Sequence, residues 1–137
     1  MNRNDFQRLA EIRVREARSL LDVGHYPGAY YIMGYAVECA LKACVSKQIK
    51  RYDFPDKKFI SDAHVHNLEQ LIGIAGLAQD FKRSRQVNPE LELNWTIVKD
   101  WKETSRYDHS ITRQQAIDIY SACTGRNGVL PWVRRRW

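Results

Sequence analysis

Residues 17–45 read ARSLLDVGHYPGAYYIMGYAVECALKACV, and this stretch decides the fold. A helical pattern runs up to the Leu20-Leu21 pair, stops at Gly24 and resumes at Pro27. Glycine suits the left-handed position just past a helix end, and proline suits the first turn of the next helix. Two helices in a row with so short a break predict a helical hairpin. Upstream, Phe6, Leu9, Ala10, Val14, Ala17, Leu20 and Leu21 fall on one face at about 100° per residue, predicting a first helix over 5–22. Arg13 projects from the middle of that apolar face and needs a partner, because an unpaired buried charge costs several kcal/mol.

The second helix runs from about Pro27 to Ile49. Ala29, Met33, Ala36, Val37, Ala40 and Cys44 form its stripe, widened by Tyr30, Leu41 and Val45, the pattern of a central bundle helix. Beside the stripe lies a row of Tyr31, Tyr35, Glu38 and Lys42. Glu38 and Lys42 have the favourable order for a helical ion pair, and Glu38 is also the natural partner for Arg13. Gly34 removes bulk one turn before Glu38, leaving room for another helix to approach.

Further out, residues 50–66 form a charged connection broken at Pro55. HNLEQLIGIAGLAQDF, residues 66–81, reads as a third helix, capped by Asn67 with Gln70 three residues on. Pro89 opens a fourth helix with Leu91, Trp95, Val98 and Trp101 or Lys102 inward. Thr112 and Gln115 repeat the capping pattern before a fifth, marked by Ala116, Ile117, Tyr120 and Cys123 and ended by Gly125. No run alternates like a strand. The expectation is an all-α, antiparallel four-to-five-helix bundle with a short C-terminal helix, forming one domain over residues 1–137.

Composition fits that reading. No window is long and apolar enough for a membrane span, and the charged N-terminus lacks the apolar core of a signal peptide. Cys39, Cys44 and Cys123 are odd in number and lack metal-site spacing, as in a reduced cytoplasmic protein. The net charge is +6. In the tail VLPWVRRRW, Arg134, Arg135 and Arg136 with two tryptophans suit nucleic acid, where phosphates are neutralised and bases stack. The same tail also suits a short helix that packs its tryptophans and solvates its arginines.

One loop carries candidate chemistry. In WKETSRYDHS, residues 101–110, an arginine, a tyrosine, a carboxylate and an imidazole stand together as Arg106, Tyr107, Asp108 and His109. They suit phosphodiester chemistry, or a loop clamp in which Arg106 holds helix-end carbonyls or Glu103 and Tyr107 packs inward. His64 and His66 alternate as in some metal sites, but no third ligand is placed nearby, and neither a metal nor a cofactor is expected. Phosphate-cradling glycine loops and serine-nucleophile signatures are absent.

The hairpin stretch, with Ala17, Leu20-Leu21, Tyr26, Ala29, Glu38 and Leu41-Lys42, resembles the first hairpin of HEPN domains. HNLEQLI is similar to that family's His-x-Leu-x-x-Leu segment. SRYD resembles its Arg-Tyr-Pro segment before the last long helix, with Asp108 where proline is common. The resemblance spans roughly residues 5–133. It implies a homodimer, for which the row of Tyr31, Tyr35 and Lys42 is a suitable surface. It also implies either a metal-independent endoribonuclease or a non-catalytic module working beside a small nucleotidyltransferase. The family's nucleases separate their arginine and histidine by four to six residues, whereas here only Tyr107 and Asp108 intervene. The expected function is therefore binding of RNA, a nucleotide or a partner nucleotidyltransferase without efficient catalysis, through Arg106, Tyr107, Lys42, Arg134, Arg135 and Arg136. The alternative is a ribonuclease using Arg106 and His109.

Overall fold

A computed structural model describes residues 1–51 and 65–137, and among these the protein is all-helical. The helices are α1 (Arg3–Asp22), α2 (Tyr26–Arg51), α3 (Leu68–Ile74), α4 (Ala78–Val87), α5 (Pro89–Val98), α6 (Arg113–Thr124) and α7 (Val129–Arg134), with a 3₁₀ helix at Glu103–Tyr107. Most of the connection anticipated over 50–66, including Pro55 and His64, lies outside the described residues.

The α1–α2 hairpin forms as the glycine pattern predicts. Gly24 has φ +84, its N–H donates to Leu21 O, and the His25 N–H donates to Leu20 O, so both frayed carbonyls of α1 are satisfied. α2 is the central helix. Met33, Ala36, Val37, Ala40 and Leu41 are wholly buried, and α1, α3, α6, α7 and the 3₁₀ helix all pack on it.

The single helix expected over 66–81 is two. Gly76, at φ +75, closes α3 with the same pair of bonds, Gly76 N–H to Gly73 O and Leu77 N–H to Ile72 O. The apolar period continues across the break because Phe81 of α4 enters the same core, meeting Trp95 edge-on at 5.0 Å and Trp132 at 4.7 Å. Periodicity alone therefore conceals the turn. On α6 Ala116, Ile119, Ala122 and Cys123 are buried, Tyr120 packs half-buried against the same core, and Ile117 is half-buried. The Thr112–Gln115 capping box forms, as does the Asn88 cap before Pro89.

The tail packs rather than reaching into solvent. Trp132 is buried and donates to Ser84 Oγ at 2.9 Å. Arg134 grips Glu11 with two bonds at 2.8 and 3.0 Å, and Arg136 holds Asp80 at 2.6 Å while lying on the Trp132 ring. These contacts staple α7 to α1 and α4. The three cysteines are buried and unpaired, and burial pushes the Cys39 and Cys44 thiols up to about 11.

Candidate functional site

Glu38 is the one charged side chain buried among the described residues, at 1% exposure. Such a carboxylate must be paired. Lys42 Nζ, one turn along α2 as the spacing predicts, lies 3.3 Å from Oε2. The other oxygen meets His66 Nδ1 at 3.1 Å. His66 immediately precedes Asn67, whose side chain accepts from the Gln70 N–H and starts α3, so the cap fixes where the imidazole enters. The far ring nitrogen, Nε2, lies 3.3 Å from Glu103 Oε2, and Glu103 Oε1 lies 3.3 Å from Arg106 Nη1. The result is a continuous chain of alternating groups, Lys42, Glu38, His66, Glu103 and Arg106. It runs from the core to the surface.

The outer end is open. Arg106 and Tyr107 are exposed, and the guanidinium sits 4.8 Å from the Tyr107 ring centre. Tyr107, and after it Glu103 and Tyr31, push the Arg106 pKa further above its already high ordinary value, so the group stays charged. Asp108 Oδ1 accepts from both the N–H and the hydroxyl of Ser110, at 2.9 and 2.6 Å, which closes the turn and holds its carboxyl below the usual range. A side chain that bonds its own backbone two residues on can do the turn-making work of a proline.

Behind this edge lies an aromatic stack. Trp101, buried beyond the end of α5, stacks on Tyr31 at 6.0 Å, Tyr31 stacks on Tyr35 at 6.1 Å, and Arg13 lies 5.7 Å over the Tyr35 ring. Gly34 makes the stack possible, since a Cβ there would fall inside the Trp101 indole. The space that Gly34 leaves is thus filled by one side chain rather than by a whole helix.

Several expected residues sit elsewhere. Arg13 does not pair with Glu38; it binds Glu16 at 2.6 Å, because that carboxylate lies one turn away on the same helix while Glu38 is turned toward His66. Arg106 is held by Glu103, as the clamp reading expects, but Tyr107 points outward at 73% exposure instead of packing inward. His109 is exposed and shares no partner with Arg106 among the described residues. Lys42, Arg134 and Arg136 are paired with carboxylates and only half-exposed, whereas Arg106, itself paired with Glu103, is exposed together with Tyr107 and Arg135. The sequence reading missed the bridging role of His66. Its signal is a carboxylate on a core face whose helical partner, Lys42, reaches only one of its two oxygens.

Among the described residues no cluster of His, Cys, Asp and Glu could hold a metal ion, and no helix is long and apolar enough to cross a membrane. The chain matches no protein-family model, no curated protein and no solved structure.

Proposed function

We propose that the protein is a HEPN-like module that binds RNA or a nucleotide through the exposed edge of the 3₁₀ helix, with Arg106 and Tyr107 as its central contacts, and that it does not cleave RNA efficiently. The observation that carries this reading is an exposed guanidinium tethered from behind by Glu103 and laid against an exposed phenol ring. An arginine offers paired donors to a phosphate, and an adjacent ring offers a face for a base. The tether lowers the freedom lost on binding. The chain's +6 charge favours approach of a polyanion. A small nucleotidyltransferase and a second copy of this chain are the proposed partners. Tyr31 and Tyr35 stack within the chain yet stay half-exposed, so with Lys42 they are the proposed dimer surface, and the exposed Leu93 and Ile97 one turn apart on α5 offer further apolar surface.

A second reading has a specific observation behind it. His66 and Arg106 contact the two oxygens of one carboxylate, so an imidazole and a guanidinium are held side by side. A metal-independent ribonuclease needs such a pair, the imidazole to move a proton and the guanidinium to stabilise charge on the phosphate. In that case His66 rather than His109 would work with Arg106. Against it, Glu103 stands between the two groups where a phosphate would have to sit.

The test is titration of labelled single-stranded RNA in EDTA at several salt concentrations. Arg106→Ala should weaken binding about tenfold and reduce the salt slope by about 0.7, the loss of one phosphate contact. Unchanged binding in that variant would refute the proposal. Cleavage to 2′,3′-cyclic phosphate ends, abolished by His66→Ala or His109→Ala, would replace it with the ribonuclease reading and name the histidine.

A further inference from the structure

A second feature shares no residue with the Lys42–Arg106 chain. An open pocket of about 530 Å³ lies between the end of α1, the start of α2 and one face of α6. Leu21 and Ile117 give it apolar surface, Tyr26 and Tyr120 give it phenol rings, and Arg18 and Arg113 give it charge. Arg113, Ile117 and Tyr120 recur at helical spacing on α6, so these three kinds of surface line one cleft.

The two arginines differ in state. Arg18 is already oriented: its Nε lies 3.0 and 3.3 Å from the two oxygens of Asp22, and its guanidinium is 5.6 Å from the Tyr120 ring centre. Arg113 is exposed, and no carboxylate pairs with it among the described residues. Asp22 therefore offsets one of the two positive charges, and the cleft keeps a net charge of +1 from Arg18, Arg113 and Asp22. A guanidinium without a carboxylate, in the same cleft as one held in place, suits a phosphate. A bare phosphate would leave the apolar and phenolic walls uncovered. The volume falls in the range of small-molecule sites, and a planar base would use those walls by stacking and apolar contact.

We propose that this pocket binds a nucleoside monophosphate, with the phosphate at Arg113 and Arg18 and the base against Leu21, Tyr26 and Ile117. The site goes beyond the RNA-binding reading, since Arg106 and Tyr107 take no part in it. Its chemistry is binding, with no covalent step.

The experiment is calorimetric titration of the full chain with AMP, GMP, CMP and UMP, and with adenosine and inorganic phosphate. At least one monophosphate should bind with a dissociation constant in the micromolar to sub-millimolar range, and added salt should weaken it. Adenosine and inorganic phosphate should each bind at least tenfold more weakly than the best monophosphate. Arg113→Ala should weaken that ligand at least tenfold, and Arg8→Ala, at an exposed arginine of α1 outside the pocket, should leave it unchanged. Arg113 is exposed and follows an intact Thr112 cap, so its variant should keep the wild-type circular dichroism spectrum. Absence of binding by all four monophosphates would overturn the proposal. So would equal affinity for inorganic phosphate, or a folded Arg113→Ala that binds like the wild type.

Discussion

Gly34→Ala is expected to destabilise the protein even though alanine is the better helix former. Gly34 lies inside α2, where alanine ordinarily gains about 0.5–1 kcal/mol. Here the added Cβ would enter the Trp101 indole, more than about 1 Å inside normal van der Waals contact. Trp101 is 1% exposed and stacked on Tyr31, so it cannot move without disturbing the aromatic row. Overpacking of this kind costs about 1–3 kcal/mol and sometimes more. After subtraction of the helix gain, a net loss of about 1–2 kcal/mol is expected. For a chain of this size that lowers Tm by roughly 3–8 °C. The decisive assay is a double-mutant cycle by chemical denaturation. Trp101→Ala alone should cost about 3–5 kcal/mol as a large-to-small core change. In the Trp101→Ala background, Gly34→Ala should become neutral or stabilising by up to about 1 kcal/mol, because the obstacle is gone. A stabilised Gly34→Ala single variant, or equal costs in both backgrounds, would refute the close approach of indole to α2.

Glu38→Ala should cost about 2–3 kcal/mol in denaturant melts, because it strands Lys42 and removes the buried anchor of His66, whereas Glu103→Ala, at a 30% exposed carboxylate, should cost under about 1 kcal/mol; equal costs would show that burial does not set the hierarchy. Asp80 is held below its ordinary value of 3.8 by hydrogen bonding from Arg136, so its contribution is present above that value and is lost as pH falls through the lower folded value. The stability gap between wild type and Asp80→Asn, followed by denaturation from neutral pH to about pH 3, should therefore narrow on acidification; a constant gap would remove Arg136 as the cause. Light scattering at micromolar concentration should give twice the 16.1 kDa of one chain, and a monomer mass would end the proposed dimer.

The parts of the fold that were legible in the sequence are those where one local cause suffices. Gly24 ends α1 and Thr112 with Gln115 starts α6 because the backbone groups they satisfy lie within a few residues. The stripe of α2 is readable because a central helix is apolar over most of its circumference and tolerates little polar intrusion. Gly76 escaped for the opposite reason. α3 and α4 both feed Phe81, Leu71 and Ile72 into one core, so the hydrophobic period bridges a turn that only a left-handed glycine reveals. Tyr120 of α6 serves two surroundings at once, packing half-buried against the core while its ring supports Arg18.

The candidate site depends on a kind of information that spacing does not carry. Arg106 was legible, and so was its nearby acceptor Glu103, because three residues in a 3₁₀ turn bring them together. Glu38 was legible as a carboxylate wanting a cation, but the choice between Arg13 and His66 rests on which element closes over α2. Arg13 found Glu16 on its own helix, at little cost in chain ordering, and that released Glu38 to face the residue before the α3 cap. The same step decides the chemistry of the edge. Once His66 bridges Glu38 and Glu103, the imidazole nearest to Arg106 through shared contacts is one that stands 40 residues away in sequence. His109, only two residues beyond Tyr107, sits exposed inside the Asp108–Ser110 turn and shares no partner with Arg106 among the described residues. A motif defined by the separation of arginine and histidine along the chain cannot register a pair assembled through a third residue's carboxylate.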